Sequence, residues 1–399
     1  MKFLLAIYKY NPFGGLQRDT LRLIQELTGR GHEAVVFTTA WDGPQPPTGT
    51  MIELVPASKL RSNHANMVRF AEAFRVRLER RDFDVSVAMS RIPGADFYFA
   101  ADVCMKTYWS NLHSAFALRF NPRYAAYLSL EHAVAAPPSR TRIACIAQAQ
   151  MRDSAAAYGT EPDRMFLLPP GMDPACRRPP ESEAEAIRAG IRRANQARPE
   201  DTVILLVSNS IYNKGTDRAI AAVGALPDEQ KKNIRLWLVG KLPENEIRKA
   251  LNDAGLAGQA VLFGQTDGVR DHMLGADLFL HPARNESAGS ALIEALAAGL
   301  PVLTTDICGF APFVRNATGT VLASPFRQDE LVKMLSDIQP RLNELKQQTL
   351  AYAGKEDFCS RARVFADILE KTLTVGLSSA QSGGRSAGCS RRGERSSES

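Results

Sequence analysis

Two glutamates stand eight residues apart in the run His281-Pro282-Ala283-Arg284-Asn285-Glu286-Ser287-Ala288-Gly289-Ser290-Ala291-Leu292-Ile293-Glu294. Glu286 falls in a loop that follows an apolar, strand-like run, and Glu294 falls in the helix after it. That helix is otherwise so apolar that the Glu294 carboxylate must be near-buried and needs partners. Between the two acids, Ala288, Gly289 and Ser290 bring small residues and open N–H groups to a helix start, where the helix dipole favours an anion. One acid could reach the hydroxyls of a sugar and the other those of a ribose, with a diphosphate between them on the helix terminus. The competing reading is a capping acid plus a chance glutamate.

Two further loops carry suitable groups. In Val207-Ser208-Asn209-Ser210-Ile211-Tyr212-Asn213-Lys214-Gly215-Thr216-Asp217-Arg218, Lys214 precedes a glycine and Arg218 follows one turn later, so cations lie where a phosphate would bind. An ordinary solvated lysine is the alternative. In Asn11-Pro12-Phe13-Gly14-Gly15-Leu16-Gln17-Arg18-Asp19, Gly14 and Gly15 join a strand to a helix and let backbone N–H groups approach a diphosphate. A plain turn explains the same glycines. Neither run is a GxGxxG fingerprint or a Walker loop, which argues against NAD and against ATP held in the P-loop manner.

These loops need elements to position them. Phe3–Tyr8, Ala34–Phe37, Ile52–Val55, Val85–Met89, Ile143–Ala147 and Met165–Leu168 read as buried strands, with helices at Leu16–Gly29, Asn66–Arg80 and Gln148–Tyr158. The pattern restarts after Pro169-Pro170-Gly171. Val203–Val207, Leu236–Val239, Ala260–Phe263, Leu278–His281 and Val302–Thr304 are strand-like, and Lys214–Leu226, Glu244–Ala254, Val269–Leu274 and Ser290–Ala298 are helical. Near-continuous apolar strands alternating with helices imply parallel sheets covered on both faces. The expected fold is α/β, two Rossmann-like doubly wound domains facing across a cleft. Residues 1–168, joined by a returning helix at about 357–375, form the first domain and residues 169–356 the second. Ligands of such sheets bind outside the carboxyl ends of the strands.

Composition narrows the function classes. The 399 residues are 45% hydrophobic with a net charge of +6, enough apolar content for about two folded domains. A disordered regulator is excluded. No window approaches the ~18 apolar residues of a spanning helix, and Met1–Ile7 reads as a first strand rather than a signal peptide. The six cysteines form no CxxC pair and are expected to be reduced thiols, with no metal site. Two segments break the alternation. Cys104–Arg142 interleaves Tyr108, Trp109, Phe116, Phe120, Tyr124 and Tyr127 with five bases (Lys106, Arg119, Arg123, Arg140, Arg142) against the single acid Glu131, a balance of +4. The end of the chain, 376–399, is a Ser/Gly/Arg run expected to be disordered, with four arginines against two glutamates. The charge balance gives no reason to expect nucleic acid.

The Glu286–Glu294 arrangement resembles the paired-glutamate motif of the retaining GT-B glycosyltransferases of family 4, and in particular those members that glucosylate an inner-core heptose of lipopolysaccharide. The matching stretches are Tyr8-Lys9-Tyr10, Pro12–Asp19, Tyr98–Cys104, Leu168–Gly171, Lys214-Gly215 with Asp217-Arg218, and Gly299–Thr305 with Cys308-Gly309. They span roughly residues 2 to 375. The resemblance implies a UDP-sugar donor, UDP-glucose, in the cleft, with no metal or other cofactor. Gly14 and Gly15 would lie against the donor, Lys214 against its diphosphate with Arg218 as helper, Glu286 against the sugar hydroxyls and Glu294 against the ribose. Asp102 would be the acceptor-side polar residue, with Asp19 on the same side. The family commonly has arginine before the lysine, whereas this chain has Asn213. The resemblance also implies a lipid A-anchored inner-core oligosaccharide as acceptor. The protein would then be cytoplasmic and peripheral on the anionic inner face of the membrane, with Lys106, Trp109, Arg119 and Arg123 on that face. A helical insertion covering the acceptor cleft is the other reading of this segment.

Other readings stay open on residues alone. A UDP-sugar epimerase of the same architecture would need acid/base carboxylates around the sugar, which the Glu286 loop does not evidently supply. The same family with another donor or acceptor would keep every motif. A two-lobed solute-binding protein would need export. A Rossmann dehydrogenase or methyltransferase would use an acid near Glu33, but lacks the glycine fingerprint.

Overall fold

The computed structural model describes residues 1–12, 14–58, 62–266 and 268–383. Apolar runs form two wholly parallel sheets. The first holds β1 (Lys2–Ala6), β2 (Glu33–Thr38), β3 (Thr50–Leu54), β4 (Val85–Ala88), β5 (Phe97–Ala100), β6 (Arg142–Cys145) and β7 (Met165–Leu167), in the order β3-β2-β1-β4-β5-β6-β7. The second holds β8 (Thr202–Val207), β9 (Ile234–Val239), β10 (Ala260–Gly264), β11 (Leu278–His281), β12 (Val302–Thr305) and β13 (Val321–Leu322), in the order β10-β9-β8-β11-β12-β13. Both are doubly wound Rossmann-like sheets, and each reverses strand order beside its first strand, which opens a ligand crevice at the carboxyl edge. The central strands are buried on both faces because helices cover both sides, so their sequences are apolar without alternation.

The long C-terminal helix, Arg361–Gly383, lies against the first domain rather than the second. Phe365 packs on Phe97 and Phe99 with ring centroids 6.1 and 5.9 Å apart. Arg30 donates to Asp367 at 2.7 Å and to Glu370 at 3.0 Å. Arg361, nearly fully buried, donates to the Pro169 carbonyl at 3.0 Å and to Asp19 Oδ2 at 2.8 Å. A buried guanidinium requires a counter-charge.

Several elements differ from the sequence reading. β5, β13 and the helices Glu181–Ala194, Ala311–Ala317, Gln328–Ile338 and Leu342–Ala353 were not expected. The four residues of β5 are Phe, Tyr, Phe and Ala, too short a run to separate from a buried helix segment by periodicity. The helix expected from Lys214 begins at Thr216 and ends at Gly224. Gly215 has φ +71°, and a Cβ there would meet the Pro282 carbonyl oxygen, so the chain turns before the helix can start. Disorder expected from 376 is corrected for 376–383, which continue the C-terminal helix. Once Phe365, Ala366 and Leu369 are packed, each added residue gains a hydrogen bond without a new nucleus. Residues 384–399, with Cys389, lie outside the described residues. The other five cysteines are free thiols.

Candidate active site

The carboxyl ends of β4, β5, β8 and β11 converge on a cavity of about 350 Å3 between the two sheets. Arg91, Asp102, Tyr108 and Trp109 line it from the first domain, and Asn209, Ser210, Asn213, Lys214, Asn285, Glu286 and Ser287 from the second. Lys214 sits on the tight turn before Gly215, and its ammonium is in direct contact with Glu286 Oε2. His281, at the end of β11, places Nε2 3.2 Å from the same oxygen. Burial works against the charge on Glu286, but the His281 hydrogen bond and the Lys214 charge overcome it and hold the carboxyl down to about 2. Burial likewise opposes a charged His281, but hydrogen bonds with Cys308 and Glu286 lift it to about 9.

Glu294 is separate from this cluster. It is buried in the helix Ser290–Ala297, and Arg18 approaches its Oε1 at 3.6 Å from the first helix, Gly15–Gly29. Burial pushes the Glu294 carboxyl up, while Arg18 and Arg22 pull it back. The N-termini of both helices are free of side-chain caps, and Gly14 and Gly289 occupy the N-cap positions. Gly289 has φ +85°, the left-handed region that favours glycine, and there the chain passes from the Glu286 loop into the helix. Ala288, Gly289 and Ser290 thus lie on one path between the two acids.

Asp102 lines the cavity with about 70% of its side chain exposed and accepts from Arg91 Nη1 at 3.3 Å. Asp19 is not in the cavity. It lies in the first domain, on the same side as Asp102, and pairs with Arg361 and with Arg22, 3.7 Å away, near the start of the first helix. Arg218 is likewise turned away from the cavity. Its guanidinium lies 3.5 Å over the Phe326 ring and reaches the carbonyls of Pro282 and Ala283. Asp217, the residue before it, holds Arg284 through two bonds of 2.6 and 2.7 Å.

The basic-aromatic segment forms three helices, Met105–Leu112, Ala115–Arg119 and Pro122–Ala135. Trp109 turns toward the cavity and stacks on Tyr124 with ring centroids 5.3 Å apart. Lys106 donates to the Ala157 carbonyl at 2.6 Å and lies over the Tyr158 ring. Arg119 and Arg123 stay exposed, beside Phe116 at 76% and Phe120 at 69% exposure.

Sequence reasoning missed the groups that hold these in place. Glu131 is buried and accepts from Arg91 Nε at 2.8 Å, from the Met105 and Lys106 N–H groups at 2.8 and 3.1 Å, and from the Tyr158 hydroxyl at 2.6 Å. Gln150 and Ser287 bridge the two domains. Arg91 had a readable signal, since it follows the strand-like run Val85–Met89 much as Lys214 follows Val203–Val207. Among the described residues no group of three or more His, Cys, Asp or Glu side chains is arranged to hold a metal ion, and no helix is long and apolar enough to cross a membrane.

Residues 13–175 match the model of Glycosyltransferase Family 4, and residues 188–356 that of Glycosyl transferases group 1. The lipopolysaccharide glucosyltransferase WaaG of Escherichia coli (strain K12) is 34% identical over 368 residues, 91% of this chain and 97% of that one. A crystal structure of WaaG superposes with a TM-score of 0.83 at 33% identity, covering 92% of this chain and 99% of that one. The HepE protein of Anabaena, solved with UDP and glucose, shares the fold at 16% identity with a TM-score of 0.69, covering 93% of this chain and all of that one. With two parallel Rossmann-like sheets, a cleft lined from both and a relative matched along nearly its whole length, the chain belongs to the GT-B glycosyltransferases of family 4 that include WaaG, and it is a hexosyltransferase.

Proposed function

We propose that this chain moves glucose from UDP-glucose to an inner-core heptose of a lipid A-anchored oligosaccharide, with retention of anomeric configuration and without a metal ion. The observation that carries the reading is the single cavity that gathers Lys214 and Glu286 from the donor-side sheet with Asp102 and Arg91 from the other. Residues 1–168 with about 357–375 would form the acceptor domain and 169–356 the donor domain. The UDP leaving group develops negative charge. Lys214 and the N–H groups of Ala288, Gly289 and Ser290, at an uncapped helix start, would stabilise it. Glu286 would accept from the donor-sugar hydroxyls, Glu294 from the ribose, and Gly14 and Gly15 would lie against the donor.

Retention by double displacement needs a carboxylate nucleophile at the reacting carbon. Glu286 has Oε2 held by Lys214 and His281, contacts that pull its carboxyl down and weaken it as a nucleophile, which favours departure and attack on one face of the sugar. Asp102, open to the cavity, would then hold the acceptor. The exposed Phe116 and Phe120, flanked by Arg119 and Arg123, would rest on the anionic inner leaflet of the cytoplasmic membrane and bring the cleft to its lipid-anchored acceptor.

A panel of UDP-sugars, with and without heptose-terminated core, tests the reading through UDP release. Release from UDP-glucose that depends on the acceptor is expected. A new UDP-sugar formed without acceptor would mean an epimerase. Preference for another donor or acceptor would keep the family and change the substrate.

A further inference from the structure

We infer that His281 is a positioning residue for the transfer, an imidazolium lodged behind Glu286 that takes over the charge of that carboxylate and so frees Lys214 for an incoming diphosphate. The inference rests on the donor reading above. Its starting point is a shared atom: both His281 Nε2 and the Lys214 ammonium contact Glu286 Oε2, and no hydrogen bond from the described residues reaches Oε1.

The charge balance explains why this matters. Lys214 and Glu286 alone cancel, so an arriving diphosphate would have to pull the lysine from a carboxylate left buried and unpaired. A protonated His281 changes that balance, because three groups then carry one net positive charge and Glu286 keeps a partner when Lys214 turns away. Oε1 can then accept a sugar hydroxyl.

The surroundings of His281 favour the charged form. The side chain is nearly fully buried at the end of β11. Its ionisable neighbours are Glu286, from the following loop, the Cys308 thiol, from the loop after β12, and Lys214, whose ammonium shares Glu286 Oε2 with it and opposes its charge. Phe279 stacks on the ring at 5.6 Å, and the Thr304 hydroxyl donates to the His281 carbonyl at 2.9 Å. The Phe279 stack fixes the ring and the Thr304 bond the backbone, and neither adds charge. Hydrogen bonds with Cys308 and Glu286 outweigh burial and carry the imidazole to about 9.

The test is the affinity for UDP, measured by calorimetry between pH 7 and 9.5 in the wild-type chain and in His281→Gln. Wild-type affinity is expected to fall as the pH rises toward 9. His281→Gln, a neutral donor of similar reach, is expected to bind UDP about tenfold more weakly at pH 7 and to lose that pH dependence. A purely structural role would weaken binding by the same factor at every pH, and that result would overturn the inference. If His281→Gln does not fold, nitrogen-15 NMR of the wild-type imidazoles decides: both ring nitrogens of His281 protonated at pH 7.5 supports the inference, and a neutral ring overturns it. A wild-type chain that binds no UDP would overturn the donor reading itself and leave the imidazole titration as the deciding measurement.

Discussion

Ser287 Oγ accepts a hydrogen bond from Gln150 Nε2 at 3.0 Å across the boundary between the two sheets. The same hydroxyl donates to the Ala101 carbonyl at 2.7 Å, and Gln150 Nε2 also donates to the Ala100 and Asp102 carbonyls at 2.7 and 3.1 Å. The residue next to Glu286 is thereby tied to the loop that presents Asp102, so the cavity walls from the two sheets share one register.

Ser287→Ala removes both of its bonds with little change of volume. Each is worth about 0.5–1.5 kcal/mol net, so the melting temperature should fall by only a few degrees. Turnover should fall about tenfold, because a small misplacement of reacting groups is costly. Steady-state UDP release beside a thermal melt checks this, and unchanged turnover would show that the bridge does not align the cleft.

Lys214→Ala should cut turnover on the order of 100-fold, the equivalent of about 3 kcal/mol, while the fold survives. The side chain is partly exposed and ends at the cavity, so its loss leaves no hole in the core. Wild-type-like kinetics in the variant would remove Lys214 from the mechanism.

Glu131→Ala should destabilise the chain by about 3–5 kcal/mol, because it leaves the buried Arg91 with only the largely exposed Asp102 as counter-charge and uncaps the helix Met105–Leu112. Urea unfolding measures the loss. A change under about 1 kcal/mol, within reach of a single neutral hydrogen bond, would show that Asp102 alone suffices to pair Arg91.

Arg119→Glu with Arg123→Glu should reduce flotation with vesicles containing anionic lipid, at about 1 kcal/mol per base removed, and leave neutral vesicles unaffected. Phe116→Ser with Phe120→Ser should reduce binding to both, since each aromatic ring contributes through apolar burial. Equal binding of the wild-type chain to neutral and anionic vesicles would defeat the electrostatic account.

Much of the architecture was legible from residue order. Apolar runs such as Phe3–Ala6 and Val203–Leu206 announce strands covered on both faces, and the restart after Gly171 separates two such sets. The spacing of Glu286 and Glu294 likewise marks a loop and the helix after it. What remained hidden is whatever depends on a distant partner. Asp19 and Asp102 look alike in sequence, two acids beside glycine- or alanine-rich strand ends. Asp19 is claimed by Arg361, 342 residues away, and Asp102 is left open to the cavity.

Local order therefore determined which residues lie at the carboxyl ends of the strands, because strand, turn and helix follow from periodicity and glycine within a few residues. Only the tertiary structure decided which of those residues face one another. Arg218 stacks on Phe326 instead of pointing into the cleft, Glu131, the single acid of the basic segment, is buried against Arg91, and His281 meets the same carboxylate oxygen as Lys214. Side-chain direction at a site is set by packing and by pairing of buried charges, and both act between residues that the sequence keeps far apart.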